Sequence, residues 1–245
     1  MAYYNCLLFD VDDTLLDFGA AERAALGEML EHFQLPADEE TIQTYQTINT
    51  ALWRSLEKGE IKKDKLVHKR FAQFLQAIGK EGDPAALNEY YLSRLGEKAI
   101  PCEDAREVLK DLAEVATIAV VSNGVERVQQ GRLTASGLAE LIDATFVSER
   151  MGVTKPNRKF FDSALHILGV NNREKVLVIG DSLRADIQGG SNAGLATCWY
   201  NPRGQENASG AKPTFEIAHL RDLLPIVMEQ EELDDVGNPA KRHMV

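Results

Sequence analysis

The 245-residue chain carries 27 Lys and Arg against 38 Asp and Glu, a formal net charge of -11, with 44% hydrophobic and 27% charged residues. An acidic chain of this kind is unsuited to broad contact with a nucleic-acid backbone, and its length allows one large domain or two modest ones with ample core. Cys6, Cys102 and Cys198 have no CxxC spacing, which argues against a disulfide framework or zinc knuckle, while Met1 to Asn5 has no basic leader and no apolar run reaches the roughly 18 residues of a membrane span, so a cytoplasmic protein without export or anchor is expected.

The first element is the stretch Leu7-Leu8-Phe9-Asp10-Val11-Asp12-Asp13-Thr14-Leu15. Its apolar run reads as a short buried strand that ends in three carboxylates, which a core strand would not tolerate, so the acids sit at the strand's exit. Strand side chains alternate with period two, so Asp10 and Asp12 share one side and Val11 points to the core. Two carboxylates in one small space suggest a nucleophile beside a general acid, a metal site, or both. Asp13 has the opposite parity and is expected to be structural. Alone, the stretch also allows a strand-ending turn with a cap.

From about 17 to 96 the apolar period changes to about 3.6. Leu26, Met29, Leu30 and Phe33 mark one helix, Tyr45, Ile48, Leu52 and Leu56 a second, and Val67, Phe71, Phe74, Leu75 and Ile78 a third; residues 85–95 supply a fourth. No strand signal interrupts this all-helical insertion. Beyond Cys102, helices at 104–113, 125–135, 160–168 and 183–193 alternate with strands at 117–121, 144–147, 176–179 and 196–200. That alternation predicts a parallel sheet covered on both faces, with ligands beyond the carboxyl ends of the strands. A turn-rich loop from Asn201 leads to a final helix near 217–228, and the tail 229–245, with five acids in its first seven residues, is expected to be mobile.

Three further stretches fall at these strand ends. Ser122-Asn123-Gly124 offers a hydroxyl, an amide and flexible backbone to an anion, or else a cap and a turn. Thr154-Lys155-Pro156-Asn157 sets Pro156 in the first turn of a helix and Lys155 just before it, where an ammonium can neutralise a phosphoryl group or an attacking carboxylate, or simply stand in solvent. Gly180-Asp181-Ser182 ends an apolar strand and Asp186 follows in the opening helix; Asp181 with Asp10 suits a divalent cation, and Asp186 suits orienting Asp181, Lys155 or coordinated water, or the helix dipole. Few hard oxygen ligands beside phosphate favour Mg²⁺ over zinc.

In this order, Asp10-Val11-Asp12-Asp13-Thr14, Ser122-Asn123, Lys155-Pro156 and Gly180-Asp181 with Asp186 resemble the four motifs of the haloacid dehalogenase superfamily of phosphohydrolases, over nearly the whole chain. The resemblance implies an α/β fold, a Rossmann-like parallel sheet core with a helical cap domain inserted after the first strand: residues 1–16 and 97–228 as core, 17–96 as cap. True dehalogenases lack the second acid of the first motif, because a halide needs no proton, so Asp12 points to a phosphatase. The cap phrase from Tyr45 to Arg54, the stretch Glu57-Lys58-Gly59-Glu60-Ile61, and Cys198-Trp199-Tyr200-Asn201-Pro202 are similar to a bacterial subfamily of nucleoside 5′-monophosphatases acting on pyrimidine and noncanonical pyrimidine nucleotides.

By that resemblance, Asp10 is the nucleophile, Asp12 the general acid and then base, and Lys155 the third catalytic residue. Thr14, Ser122 and Asn123 bind the phosphate, Mg²⁺ is held by Asp10, the main-chain carbonyl of Asp12 and Asp181, and Asp186 supports them. In the cap, Trp53 is equally a platform for a base or plain packing, and Asn49 and Arg54 are candidates to reach base edges or the ribose. Lys58, Lys62, Lys63, Lys65, Lys69 and Arg70 form a basic run, either a solvated face or an attraction for anionic substrates. The expected partner is a small phosphomonoester, taken by a monomer or homodimer. The alternatives are a phosphatase of sugar phosphates or phosphoglycolate, a mutase, and a non-catalytic binding relative.

Overall fold

The computed structural model describes residues 2–228; the acidic tail lies outside them. Six strands form one parallel sheet in the order β3-β2-β1-β4-β5-β6: β1 Cys6–Phe9, β2 Thr117–Ser122, β3 Ala144–Val147, β4 Val176–Gly180, β5 Ala196–Tyr200 and β6 Phe215–Ile217. The strand order reverses about β1, the topological position where α/β sheets bind ligands. Along β1, Leu7 and Phe9 face a cluster with Val108, Leu109 and Leu112 of α5 (Ala105–Ala113). Cys6 and Leu8 face the opposite cluster, with Phe160, Phe161 and Ala164 of α8 (Arg158–Leu168). Both faces are buried, which is why these strands read as continuous apolar runs.

Between β1 and α5 stand four helices: α1 Phe18–His32, α2 Glu39–Glu57, α3 Lys63–Ala77 and α4 Pro84–Gly96. They bury an apolar cluster of their own, centred on Tyr45, Phe71, Phe74 and Tyr91, to which the core helix α6 (Glu126–Ala135) contributes Val128. Asp17, Asp38 and Asp83 cap α1, α2 and α4 by accepting N–H groups of their first turns. Short helices α7 (Ser148–Met151) and α9 (Gly189–Asn192) complete the core with α10 (Leu223–Met228).

Three expectations need correction. The final helix begins at Leu223; Phe215–Ile217 is instead an edge strand paired with β5, too short to show a period of its own, and Leu220–Asp222 forms a 3₁₀ turn. The helix expected over 183–193 is a π-helical turn, Leu183–Gln188, running into α9. Pro156 precedes the N-cap of α8, a place held by Asn157, so it lies outside the first turn. Cys6 and Cys198 are buried and Cys102 half-buried, all as free thiols. No helix among the described residues is long and apolar enough to cross a membrane.

Candidate active site

Register assembles the site. Phe9 pairs with Val120 on one side and Ile179 on the other. One residue further, Asp10 emerges beside Val121 and Gly180, and its N–H donates to Ile179 O at 2.8 Å. Gly180 is required there by close approach: a Cβ would stand 2.2 Å from the Asp186 carboxylate. Lys155, almost fully buried, reaches into the same space and spends all three of its N–H donors: on Asp10 Oδ1 at 2.6 Å, Asp186 Oδ1 at 2.6 Å and Val121 O at 2.7 Å. Of the two tasks open to it in the sequence, the pairing with the attacking carboxylate is the one these contacts form.

Asp10, Asp181 and Asp186 bring carboxylate oxygens within 4.8 Å of one another. Burial pushes the carboxyls of Asp10 and Asp181 upward, and neighbouring acids add to it; Lys155 offsets only part. Burial by itself would lower Lys155, but Asp10 and Asp186 outweigh it and raise the ammonium, so Lys155 stays charged. Three hard-oxygen ligands against one ammonium make a site whose charge a small divalent cation would relieve, so the residues fit Mg²⁺. Asp186 also accepts the N–H of Ser182 at 3.1 Å, which with its Lys155 pair commits both of its oxygens and leaves Asp10 and Asp181 as the more available ligands.

The surrounding polar groups are held by one another. Asp181 donates its N–H to Thr14 Oγ1 at 3.1 Å, and its carbonyl accepts from the Trp199 indole at 2.9 Å, so the late Cys198-Trp199-Tyr200 phrase anchors the fourth motif. Ser122 Oγ accepts from Gly124 N at 3.0 Å and Gln129 Nε2 at 2.9 Å, leaving its own proton to point elsewhere. The Asn123 side chain is tied to the lysine segment. Its Oδ1 accepts from Lys155 N and its Nδ2 donates to Lys155 O, both at 2.9 Å, a two-point clamp that fixes the lysine's backbone. Asp13 adopts φ 56° and accepts from the N–H groups of Phe18 and Gly19, a turn and cap role. Asp12 does not join the carboxylate cluster by its side chain; it is paired with Arg132 and, at 2.7 Å, with Gln129.

Trp53 packs with Leu52, Leu56 and Leu66. Arg54 is exposed, and Asn49 is buried among the inserted helices with its Nδ2 on Glu22 at 2.7 Å. Near the strand ends, the end of α2 and the start of α3 approach the core. Glu57 stands near Asp186, Lys155 and Ser182, with burial pushing its carboxyl up, and its carbonyl accepts from Arg184 at 3.2 Å. Lys63 is paired with Glu149 at 3.0 Å and donates to Gly124 O. The basic run therefore divides: Lys62, Lys65 and Lys69 are exposed, Lys63 docks on the core, and Arg70 is buried with both Nε and Nη2 on Asn88. Sequence reasoning passed over Gln129 and Arg132, whose spacing of three on a helix beside buried Val128 and Leu133 was the available signal.

Residues 4–194 match the model of the haloacid dehalogenase-like hydrolase family. The pyrimidine 5′-nucleotidase PynA of Streptococcus pneumoniae is 39% identical over 91% of this chain and 94% of its own, and the pyrimidine 5′-nucleotidase YjjG of Escherichia coli 36% identical over 90% and 96%. Among solved structures, the HAD-hydrolase YfnB of Bacillus subtilis, bound to magnesium, superposes with a TM-score of 0.86 at 39% identity, covering 91% of this chain and 98% of that one. A parallel sheet with acids at the exits of β1 and β4, and this likeness along nearly its whole length, make the chain an enzyme belonging to the haloacid dehalogenase-like hydrolase family.

Proposed function

We propose that the chain is a Mg²⁺-dependent phosphomonoester hydrolase working through an aspartyl phosphate, with nucleoside 5′-monophosphates of pyrimidine and noncanonical pyrimidine bases as its substrates. The observation that carries this reading is Asp10, buried at the exit of the central strand with Lys155 at 2.6 Å and a second acid two residues on. Binding alone has no use for such a constellation. Support for the substrate class comes from the two pyrimidine 5′-nucleotidases that align with more than nine tenths of the chain or close to it.

In the first step an Asp10 oxygen forms a bond to phosphorus as the bond to the ribose 5′-oxygen breaks, and Asp12 gives that oxygen its proton. In the second, Asp12 takes a proton from the water that cleaves the Asp10–phosphorus link, releasing inorganic phosphate. Lys155 holds Asp10 aimed and unsolvated. Ser122, with Gly124 and Gln129 filling its acceptor sites, turns its hydroxyl proton to a phosphoryl oxygen, and Thr14 does the same beside Asp181. Asp10, Asp181 and the main-chain carbonyl of Asp12 are the groups to hold Mg²⁺, which when bound neutralises charge between the phosphoryl oxygens and the carboxylates. Residues 17–96 act as a cap over the core formed by 1–16 and 97–228, excluding water from the strand ends.

The test is phosphate release by the purified chain with Mg²⁺ from nucleoside monophosphates, sugar phosphates and phosphoglycolate, with an EDTA control. Metal-dependent preference for pyrimidine monophosphates is expected. Preference for a sugar phosphate or phosphoglycolate would overturn the substrate class and keep the mechanism, whereas release from none of them would overturn both.

A further inference from the structure

The general acid has a support that the four motifs do not describe. Arg132 is fully buried in α6 and its guanidinium reaches in three directions. Nη1 donates to Asp12 Oδ1, Nε to Lys98 O at 3.1 Å, and Nη2 to Asp17 O at 3.4 Å. Gln129, one turn earlier on the same face, donates to the other oxygen of Asp12 at 2.7 Å and to Ser122 Oγ at 2.9 Å. Gln129 Oε1 in turn accepts from Arg132 Nη1 at 3.4 Å. Asp17 and Lys98 are the residues at which the chain leaves the core for α1 and returns from α4, so one side chain holds both crossings and the acid together.

The close seat of α6 makes this possible: a Cβ on Gly131 would lie 2.7 Å from Gly96 O, so the helix rests directly on the end of α4. Burying a guanidinium is unfavourable unless its donors are met, and here two main-chain carbonyls fix its plane while the third direction is given to Asp12. A carboxyl oxygen has two lone-pair sites. Arg132 occupies one site on Oδ1 and Gln129 one on Oδ2, while the Asp12 side chain keeps 30% exposure toward the open side. The sites left over are therefore set in direction, and one of them carries the proton.

We propose that Arg132, assisted by Gln129, is the positioning residue for proton transfer by Asp12, taking its own orientation from Asp17 and Lys98. This rests on the phosphohydrolase reading above. Arg132 touches no reacting atom; it acts through Asp12, and in kcat/KM, which reports the steps up to departure of the leaving group, its loss shows where a proton must reach that group.

The experiment compares kcat/KM for a nucleoside monophosphate, whose alkoxide must be protonated, with that for 4-nitrophenyl phosphate, whose phenolate leaves unprotonated. For Arg132→Lys, which keeps the charge but cannot span three directions, the nucleotide value is expected to fall by about 10²-fold, the scale of general acid catalysis, and the aryl value by no more than a few-fold. In an Asp12→Asn background the same substitution is expected to add nothing. Equal losses on both substrates, or a full additional loss in that background, would overturn the proposal and leave Arg132 a structural residue. Should Arg132→Lys fail to fold by circular dichroism, Gln129→Met is read by the ratio of the two losses, because its bond to Ser122 Oγ serves both substrates and its bond to Asp12 only the nucleotide; a ratio above one is expected, and a ratio of one would overturn the proposal. A wild-type chain inactive on both substrates with Mg²⁺ would sink the hydrolase reading itself, which the active wild type with an unselective variant would not.

Discussion

The strand ends of the core and the four helices that cover them solve the problem of buried polarity in different ways. At the strand ends the charged groups are met by partners far away in the chain, Lys155 by Asp10, Asp186 and Val121 and half-buried Asp12 by Arg132 and Gln129, while Ser122 is met nearby by Gly124 and Gln129. Among the helices, an aromatic cluster with Tyr45 and Phe71 stacked at 5.1 Å packs around Arg70, yet the buried hydroxyls of Tyr45 and Tyr91 and Asn49 Oδ1 find no hydrogen-bond partner. The helices meet the core at two places, through Lys63 and the Glu57 carbonyl near the strand ends and through the close seat of α6 on the end of α4. The site is thus pre-organised by partners that strand register brings together, whereas the helices bury polar groups that stay unmatched inside their own cluster.

The largest test of that contrast falls on the nucleophile. Asp10→Asn is expected to lower turnover of any phosphomonoester by at least about 10⁴-fold with unfolding by urea little changed; residual hydrolysis close to wild type would remove Asp10 from the mechanism. Next comes Lys155→Met, which strands Asp10 and Asp186 without their ammonium. Breaking such a buried pair costs about 3 to 5 kcal/mol, and added Mg²⁺ should recover part of it in the same urea titration. An unchanged midpoint would mean that the strand ends are not held together by charge.

The smallest effect belongs to the cover. Lys63→Ala should raise KM for nucleotides several-fold, leave kcat nearly unchanged, and alter stability by less than about 1 kcal/mol, because its pair with Glu149 is partly exposed. A loss confined to kcat would blur the division, since it would place part of the chemistry in the helices.

Much of the core half of the site was legible from residues alone. Apolar runs of four to six residues followed abruptly by Asp10, Ser122 and Asp181 gave the strands and their exits, because a strand buried on both faces admits no acid until it ends. The helical insertion was legible from its period. Less was available for the edge strand at Phe215–Ile217, where three residues carry no periodicity, and for the side-chain duties of Asn123, whose amide serves an anion or a neighbour's backbone equally well until Lys155 is brought beside it.

What the order of residues determined, then, is what has a strong local signal: the apolar strands with polar residues at their exits and the helical period of the insertion. Tertiary structure decided the pairings. Asp10 and Lys155 are 145 positions apart, and Asp12 and Arg132 120. Arg132, a polar residue on a buried helix face, could be read only as an anomaly until the two crossings at Asp17 and Lys98 were folded against it. The reason is physical: hydrogen-bond partners for a buried charge are chosen by which backbone ends the sheet register brings within 3 Å or so, and register is a property of the assembled strands rather than of any one segment.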